Sequence, residues 1–277
     1  MLLAWNLAAV MAACLIVSSL VVARVPWRGA VAEGPVRETG VVLALYALWQ
    51  WGGGLAVTHV AGAVDNARWV WNVETAMRLP SEVSVQRLVL PHPWLVQSLN
   101  VFYAGVHVPA LIIFLIWLYF RHRDAYPRWR NVGALATGAM LAVQLIPVAP
   151  PRLMPEYGFV DTALRYGQSV YGPGGIQNAP QLAAMPSVHV GWAFFIALAV
   201  VTVSTSRWRW LVLLHPAATV FVVVATANHW WMDGIVAVAL LILALATEAL
   251  ARTIAGRFVR RPPVLIPERE GIPEPVS

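Results

Sequence analysis

The chain has 277 residues, 59% hydrophobic and only 12% charged, against roughly 25% charged in soluble domains, so a soluble enzyme with a simple anchor is excluded. Its net charge of +6 comes from arginine alone, because the sequence contains no lysine, and those arginines sit between apolar runs, which excludes a polyanion- or nucleic-acid-binding face. The single cysteine, Cys14, excludes an intramolecular disulfide and a cysteine-based metal site.

Seven stretches have the length and apolarity of membrane spans: 2–23, 41–60, 97–120, 131–149, 187–205, 210–228 and 231–250. About 20 apolar residues are needed to cross the hydrocarbon, so the expected fold class is all-α, a polytopic transmembrane helical bundle. The first stretch reads as a retained helix: it has no positive leading region and is followed, not preceded, by arginines. Residues 61–96 mix Trp69, Trp71, Glu74, Arg78, Pro91, His92 and Pro93, which predicts short helices at the membrane interface, where tryptophan is favoured. Within them Glu74 and Arg78, four residues apart, are expected to pair. The third stretch places Asn100, Tyr103 and His107 on one face, and His59 ends the second; both histidines are expected to be packing residues of the bundle.

Residues 150–186 carry Pro150, Pro151, Pro155, Gly158, Gly167 and the run Gly172-Pro173-Gly174-Gly175, predicting an irregular loop over one end of the bundle. The last two stretches, separated by little more than Asn228-His229-Trp230, predict a helical hairpin, with His215 a structural residue. One domain is expected over 1–255, followed by a disordered cytoplasmic tail at 256–277. If loops alternate sides, Arg24, Arg28, Arg37, Arg121, Arg123, Arg128, Arg130, Arg207, Arg209, Arg252, Arg257, Arg260, Arg261 and Arg269 fall on one side, and only Arg68, Arg78, Arg87, Arg152 and Arg165 on the other. The positive-inside rule makes the richer side cytoplasmic. The N-terminus and the 150–186 loop then lie outside, in an integral protein of a bacterial plasma membrane.

Between Arg209 and Glu248 the only formally charged residue is Asp233, four residues after His229. A lone carboxylate in so apolar a run marks a functional site by default. A carboxylate can orient an imidazole so that one nitrogen keeps its proton and the other acts as a nucleophile. Upstream, Met185-Pro186-Ser187-Val188-His189 opens another apolar run. Proline in the first turn and Ser187 near the N-cap predict a helix start, whose N–H groups attract an anion such as phosphate. His189 in that first turn can give a proton to a leaving oxygen. Both histidines fall at the same expected membrane face. Three histidines and a carboxylate could in principle bind zinc, but the helix-end placement is accounted for by phosphate alone, and neither metal nor cofactor is expected.

Pro186-Ser187-Val188-His189 together with His229-(three residues)-Asp233 resembles the type 2 phosphatidic acid phosphatase superfamily over about residues 100–250. The resemblance implies a six-helix core, here with one added N-terminal helix. It also implies that His229 becomes phosphorylated, Asp233 orients it, and His189 protonates the leaving group and then activates the acceptor. Two usual features are missing. Val222 and Val223 stand where the family's third motif begins Ser-Arg, and Pro150-Pro151-Arg152-Leu153-Met154-Pro155 occupies the place of its Lys-(six)-Arg-Pro. That pattern is similar to the inositol phosphorylceramide synthase and sphingomyelin synthase branch, which transfers a phospho-headgroup to a lipid alcohol. Arg152, then Arg165, are the candidates for a phosphate clamp, since a guanidinium binds phosphate bidentately; Ser187 is the third phosphate-binding candidate. The expected function is a lipid phosphatase or phosphotransferase whose partners are a lipid phosphate or phospholipid and the surrounding membrane lipids. The alternatives are a headgroup transferase and, in another class, a proton-coupled transporter.

Overall fold

The computed structural model describes residues 4–22, 29–58, 61–169 and 181–259. The expectations at His59, at Gly172-Pro173-Gly174-Gly175 and for the tail beyond 259 lie outside these residues. Among the described residues the fold is all-helical, and its one extended pairing is an isolated bridge between Val148 and Ala183.

Two long helices come first, α1 (Trp5–Val22) and α2 (Gly29–Thr58), packed along each other. The short α3 (Ala63–Ala76) and α4 (Glu82–Val89) follow. Next come α5 (Pro93–Gly105) and α6 (His107–Arg121), which meet at 48°, and then α7 (Tyr126–Gln144). The connection after α7 holds two 3-10 turns, Pro151–Leu153 and Pro155–Tyr157, and a single helical turn, α8 (Thr162–Arg165). The chain continues through α9 (Val188–Val203), a 3-10 stretch at Arg207–Leu213 that runs into α10 (Leu214–Ala225), and α11 (Trp231–Val259). α11 thus stays helical beyond residue 255, where the tail was expected to begin.

Two helical stretches are long and apolar enough to cross a membrane by themselves, Arg207–Ala225 and Trp231–Gly256, and the bent pair α5–α6 supplies a third if it counts as one span. Trp5–Val21 and Val188–Val203 are apolar but shorter. The continuous third run expected from hydropathy is broken at Val106. Pro109 gives the physical reason: its ring displaces the carbonyl of Gly105 and offers that carbonyl no N–H.

Apolar packing forms three clusters. Phe114, Leu118, Trp129, Met140, Phe195 and Leu241 fill the space between α6, α7, α9 and α11. Val70, Met154, Phe159, Ala184 and Trp230 lie beneath the 150–168 connection, and Val96, Leu99, Tyr103, Val190 and Val223 join α5, α9 and α10. Between helices in lipid, close approach through small residues replaces the hydrophobic effect as the main source of association. Gly191 shows how close: a Cβ there would stand 2.3 Å from Met140 Cε. Val188, Val190 and Trp230 each belong to a different cluster, so the two histidine motifs sit where all three meet.

Candidate active site

α10 ends at Ala225, and the chain turns through Thr226-Ala227-Asn228 to His229 before α11 begins. His229 therefore precedes its helix instead of lying within it, and Asp233 is in that helix's first turn. Ala227, buried and with φ of 55°, occupies the left-handed region that is costly for a residue with a Cβ; its carbonyl accepts the Arg152 N–H at 2.8 Å. His229 Nδ1 is 3.1 Å from Asp233 Oδ2 and 2.9 Å from the Ala184 carbonyl. Both neighbours are acceptors, so Nδ1 carries the proton and donates to them. Nε2 then holds the lone pair, and it is buried with no hydrogen-bond partner. Asp233, fully buried, also accepts the Trp230 N–H at 2.9 Å. This is an imidazole locked in the tautomer that a nucleophile requires.

Ser187 is the N-cap of α9, its Oγ accepting from Val190 N at 3.3 Å; Pro186 precedes the cap and is not within the first turn. The Ser187 N–H donates to the Asp233 carbonyl at 3.0 Å, which ties the start of α9 to the start of α11. The N–H groups of Val188 and His189 open the helix, where no intrahelical acceptor exists for them. The rings of His189 and His229 lie 5.6 Å apart between centroids, close enough for one phosphoryl group to be within reach of both.

Arg152 is buried, donating from Nε to Asn228 Oδ1 at 3.2 Å and from Nη1 to Asp161 Oδ2 at 2.9 Å. Asp161 in turn caps α8, accepting from Leu164 N. The guanidinium is thus fixed beside the residue that precedes His229. Arg165 is not drawn in: it is exposed at the end of α8 with its guanidinium over the Tyr166 ring. The fold therefore brings His189, His229, Asp233, Ser187 and Arg152 together and leaves Arg165 apart.

Two neighbours of the site were not legible as such in the sequence. Glu74 does not pair with Arg78 as expected. Arg78 leaves the end of α3 with φ of 56° and is exposed, while Glu74 turns inward and accepts the Met232 N–H at 2.7 Å. Glu82 accepts the Trp231 N–H at 3.3 Å. Together with Asp233 on Trp230, three buried carboxyls take three successive N–H groups at the entrance of α11. Burial raises the Glu74 carboxyl to about 9, and its hydrogen bond with Glu82 and the charge of Glu82 act in the same sense; near neutral pH it keeps its proton. The nearby Arg78 concealed any local signal, and only the fold brings α3 and α4 to α11.

His107, expected as a packing histidine, is buried directly against the site, its ring 4.6 Å from that of His189 and 6.1 Å from that of His215. Among the described residues, no group of three or more His, Cys, Asp or Glu side chains has the geometry to hold a metal ion.

A family model described as the PAP2 superfamily matches residues 68–247, from α3 through most of α11, a stretch that contains all the site residues above. No match was found among curated proteins or among solved structures.

Proposed function

The chain belongs to the PAP2 superfamily, and from that premise we propose that it is a membrane-embedded enzyme that cleaves a lipid phosphate ester through a phosphohistidine at His229. The observation that carries the reading is the His229 ring itself: with Nδ1–H held by Asp233 and Ala184, Nε2 is left as the nucleophile. Nε2 attacks phosphorus, the ester P–O bond breaks, and the departing alkoxide takes a proton from His189. An acceptor hydroxyl then attacks the phosphohistidine while His189 takes up its proton, which restores both rings. The start of α9 and the Arg152 guanidinium supply positive potential for the phosphoryl oxygens. Arg152→Ala is expected to lower kcat about 10²- to 10³-fold, and Arg152→Lys to recover little of it, because an ammonium cannot replace a planar bidentate fork.

The reading includes seven spans with the histidine end outside the cytoplasm, supported by the arginine asymmetry. Cysteine placed at Asp124 or at Arg165, in a Cys14→Ser background, tests it with a membrane-impermeant thiol reagent on intact cells. Labelling at 165 alone is expected; labelling at 124 alone reverses the orientation.

Water as acceptor makes a phosphatase, and a lipid alcohol makes a headgroup transferase. Val222 and Val223 are buried where the family's usual Ser-Arg would stand, and this departure favours the transferase as the second reading. Following both free phosphate and transferred headgroup from a panel of phospholipids and lipid phosphates decides between the two. Absence of any labelled His229 after rapid quenching with a radiolabelled phosphate ester would overturn the shared covalent step.

A further inference from the structure

We propose that His107 is a positioning residue for His189, clamping its ring and accepting the Nδ1 proton of its charged form while Nε2 faces the leaving group. The inference rests on the reading of His189 as the proton donor.

His107 is the first residue after the break between α5 and α6, and Tyr103 precedes it by one turn. Both rings bear on His189: Tyr103 at 4.5 Å and tilted, His107 at 4.6 Å and edge-on. A straight helix carries residues four apart on one face; here the 48° bend lies between them, so the two rings close on His189 from different directions. The bend is thereby tied to the site.

His189 cannot donate a proton unless it first carries two. Its Nδ1 is buried and has no hydrogen-bond partner. Asp233 does not serve it: Oδ2 holds His229 and the Trp230 N–H, and Oδ1 is buried without any hydrogen-bond partner, His189 included. Besides Tyr103 and His229, the polar ring in contact is His107, only 3% exposed and enclosed by the rings of Phe102, His189 and His215. Neither of its nitrogens has a well-formed hydrogen bond, the nearest backbone acceptor being the Tyr103 carbonyl. An imidazole buried this way is expensive if it serves only as filler, and a phenyl ring of similar size would pack there without that cost. Once His189 carries its second proton, the edge-on contact, 4.6 Å between ring centroids, would close to a hydrogen bond from Nδ1 to a His107 nitrogen.

The chemistry of the two partners then separates the roles of the two active-site histidines. His229 is held by a carboxylate, which favours attack on phosphorus. His189 is held by a neutral acceptor, which steadies the imidazolium without neutralising it and keeps its Nε2 proton transferable. In the forward step that proton passes to the alkoxide oxygen as the P–O bond breaks and the His229 Nε2–P bond forms; the Nδ1 proton stays on His189 throughout, held by His107.

Leaving-group dependence tests this. The purified wild type, His107→Ala, His107→Phe, His107→Gln and His189→Ala are assayed on dioctanoyl phosphatidate, whose alkoxide must be protonated, and on 4-nitrophenyl phosphate, whose phenolate leaves unaided. His107→Ala and His107→Phe are expected to lose about 10- to 100-fold on the alkyl ester, the range seen when an orienting partner is removed, and less than about threefold on the aryl ester. His107→Gln, which retains an acceptor, should recover part of the alkyl activity, and His189→Ala should show the same selectivity more strongly. Equal losses on both esters in all three His107 variants, or full activity of His107→Phe, would reduce the residue to packing and overturn the proposal. If His189→Ala were itself indifferent to the leaving group, the reading of His189 as proton donor would fail, and the inference with it.

Discussion

At the histidine end of α11, Asp233, Glu74 and Glu82 are 0%, 3% and 2% exposed, and their partners are backbone N–H groups, one imidazole and, between Glu74 and Glu82, each other. Fifteen residues further along the same helix, about 22 Å by helical rise, Glu248 meets Arg252 at 2.8 Å and Arg128 at 3.7 Å, with both arginines 40% exposed or more. Glu38 of α2 likewise meets Arg130 of α7 near that end. The arginine end binds Glu248 with cations that reach solvent, so each of those pairs contributes little. The histidine end binds its carboxyls to groups that cannot move without unwinding a helix. The same residue type thus forms side-chain ion pairs at one end and holds backbone and imidazole geometry at the other.

The largest expected effect lies at the histidine end. His229→Ala removes the nucleophile and should reduce turnover to background while the protein still elutes as a folded particle in detergent. Asp233→Asn frees the tautomer and should cost about 10⁴-fold, by analogy with the loss when a histidine's orienting carboxylate is amidated. Retained turnover in His229→Ala would dissolve the distinction between the two ends.

A smaller effect concerns pH. The native Glu74 carboxyl titrates near 9 against an ordinary 4.5, so its contribution to stability is fully present below about 4.5. It is lost progressively as pH rises through 9, by at most about 1.4 kcal/mol per pH unit. The Tm of the wild type should therefore fall between pH 5 and pH 9. Glu74→Gln, which cannot titrate yet still accepts from Met232, should flatten that slope, whereas Glu74→Ala should lower Tm at every pH. Identical slopes in wild type and Glu74→Gln would place the pH dependence elsewhere.

The smallest effect is at the arginine end. Arg252→Ala breaks an exposed partner of Glu248 and should shift stability by less than about 1 kcal/mol, with activity unchanged because Arg128 remains beside the carboxylate. A loss of turnover there would show the two ends to be coupled along α11.

What the sequence by itself determined is local. The apolar runs became helices because a run of residues preferring the same environment needs nothing distant to form one. Ser187 became an N-cap because its hydroxyl reaches an amide three residues on, and His229 meets Asp233 because the separation is a single turn. Even the break at Val106 was written in Gly105 and Pro109, although it was read as a continuous span. The tertiary structure alone decided which distant groups complete the site. It sent Glu74 to Met232 across 158 residues instead of to Arg78 across four, gave Arg152 to Asn228 and Asp161 while leaving Arg165 at the surface, and set His107 against His189. Those choices depend on how helices far apart in the chain approach one another, and that is fixed by the closest packing of many small contacts, of which no single stretch of sequence carries the pattern.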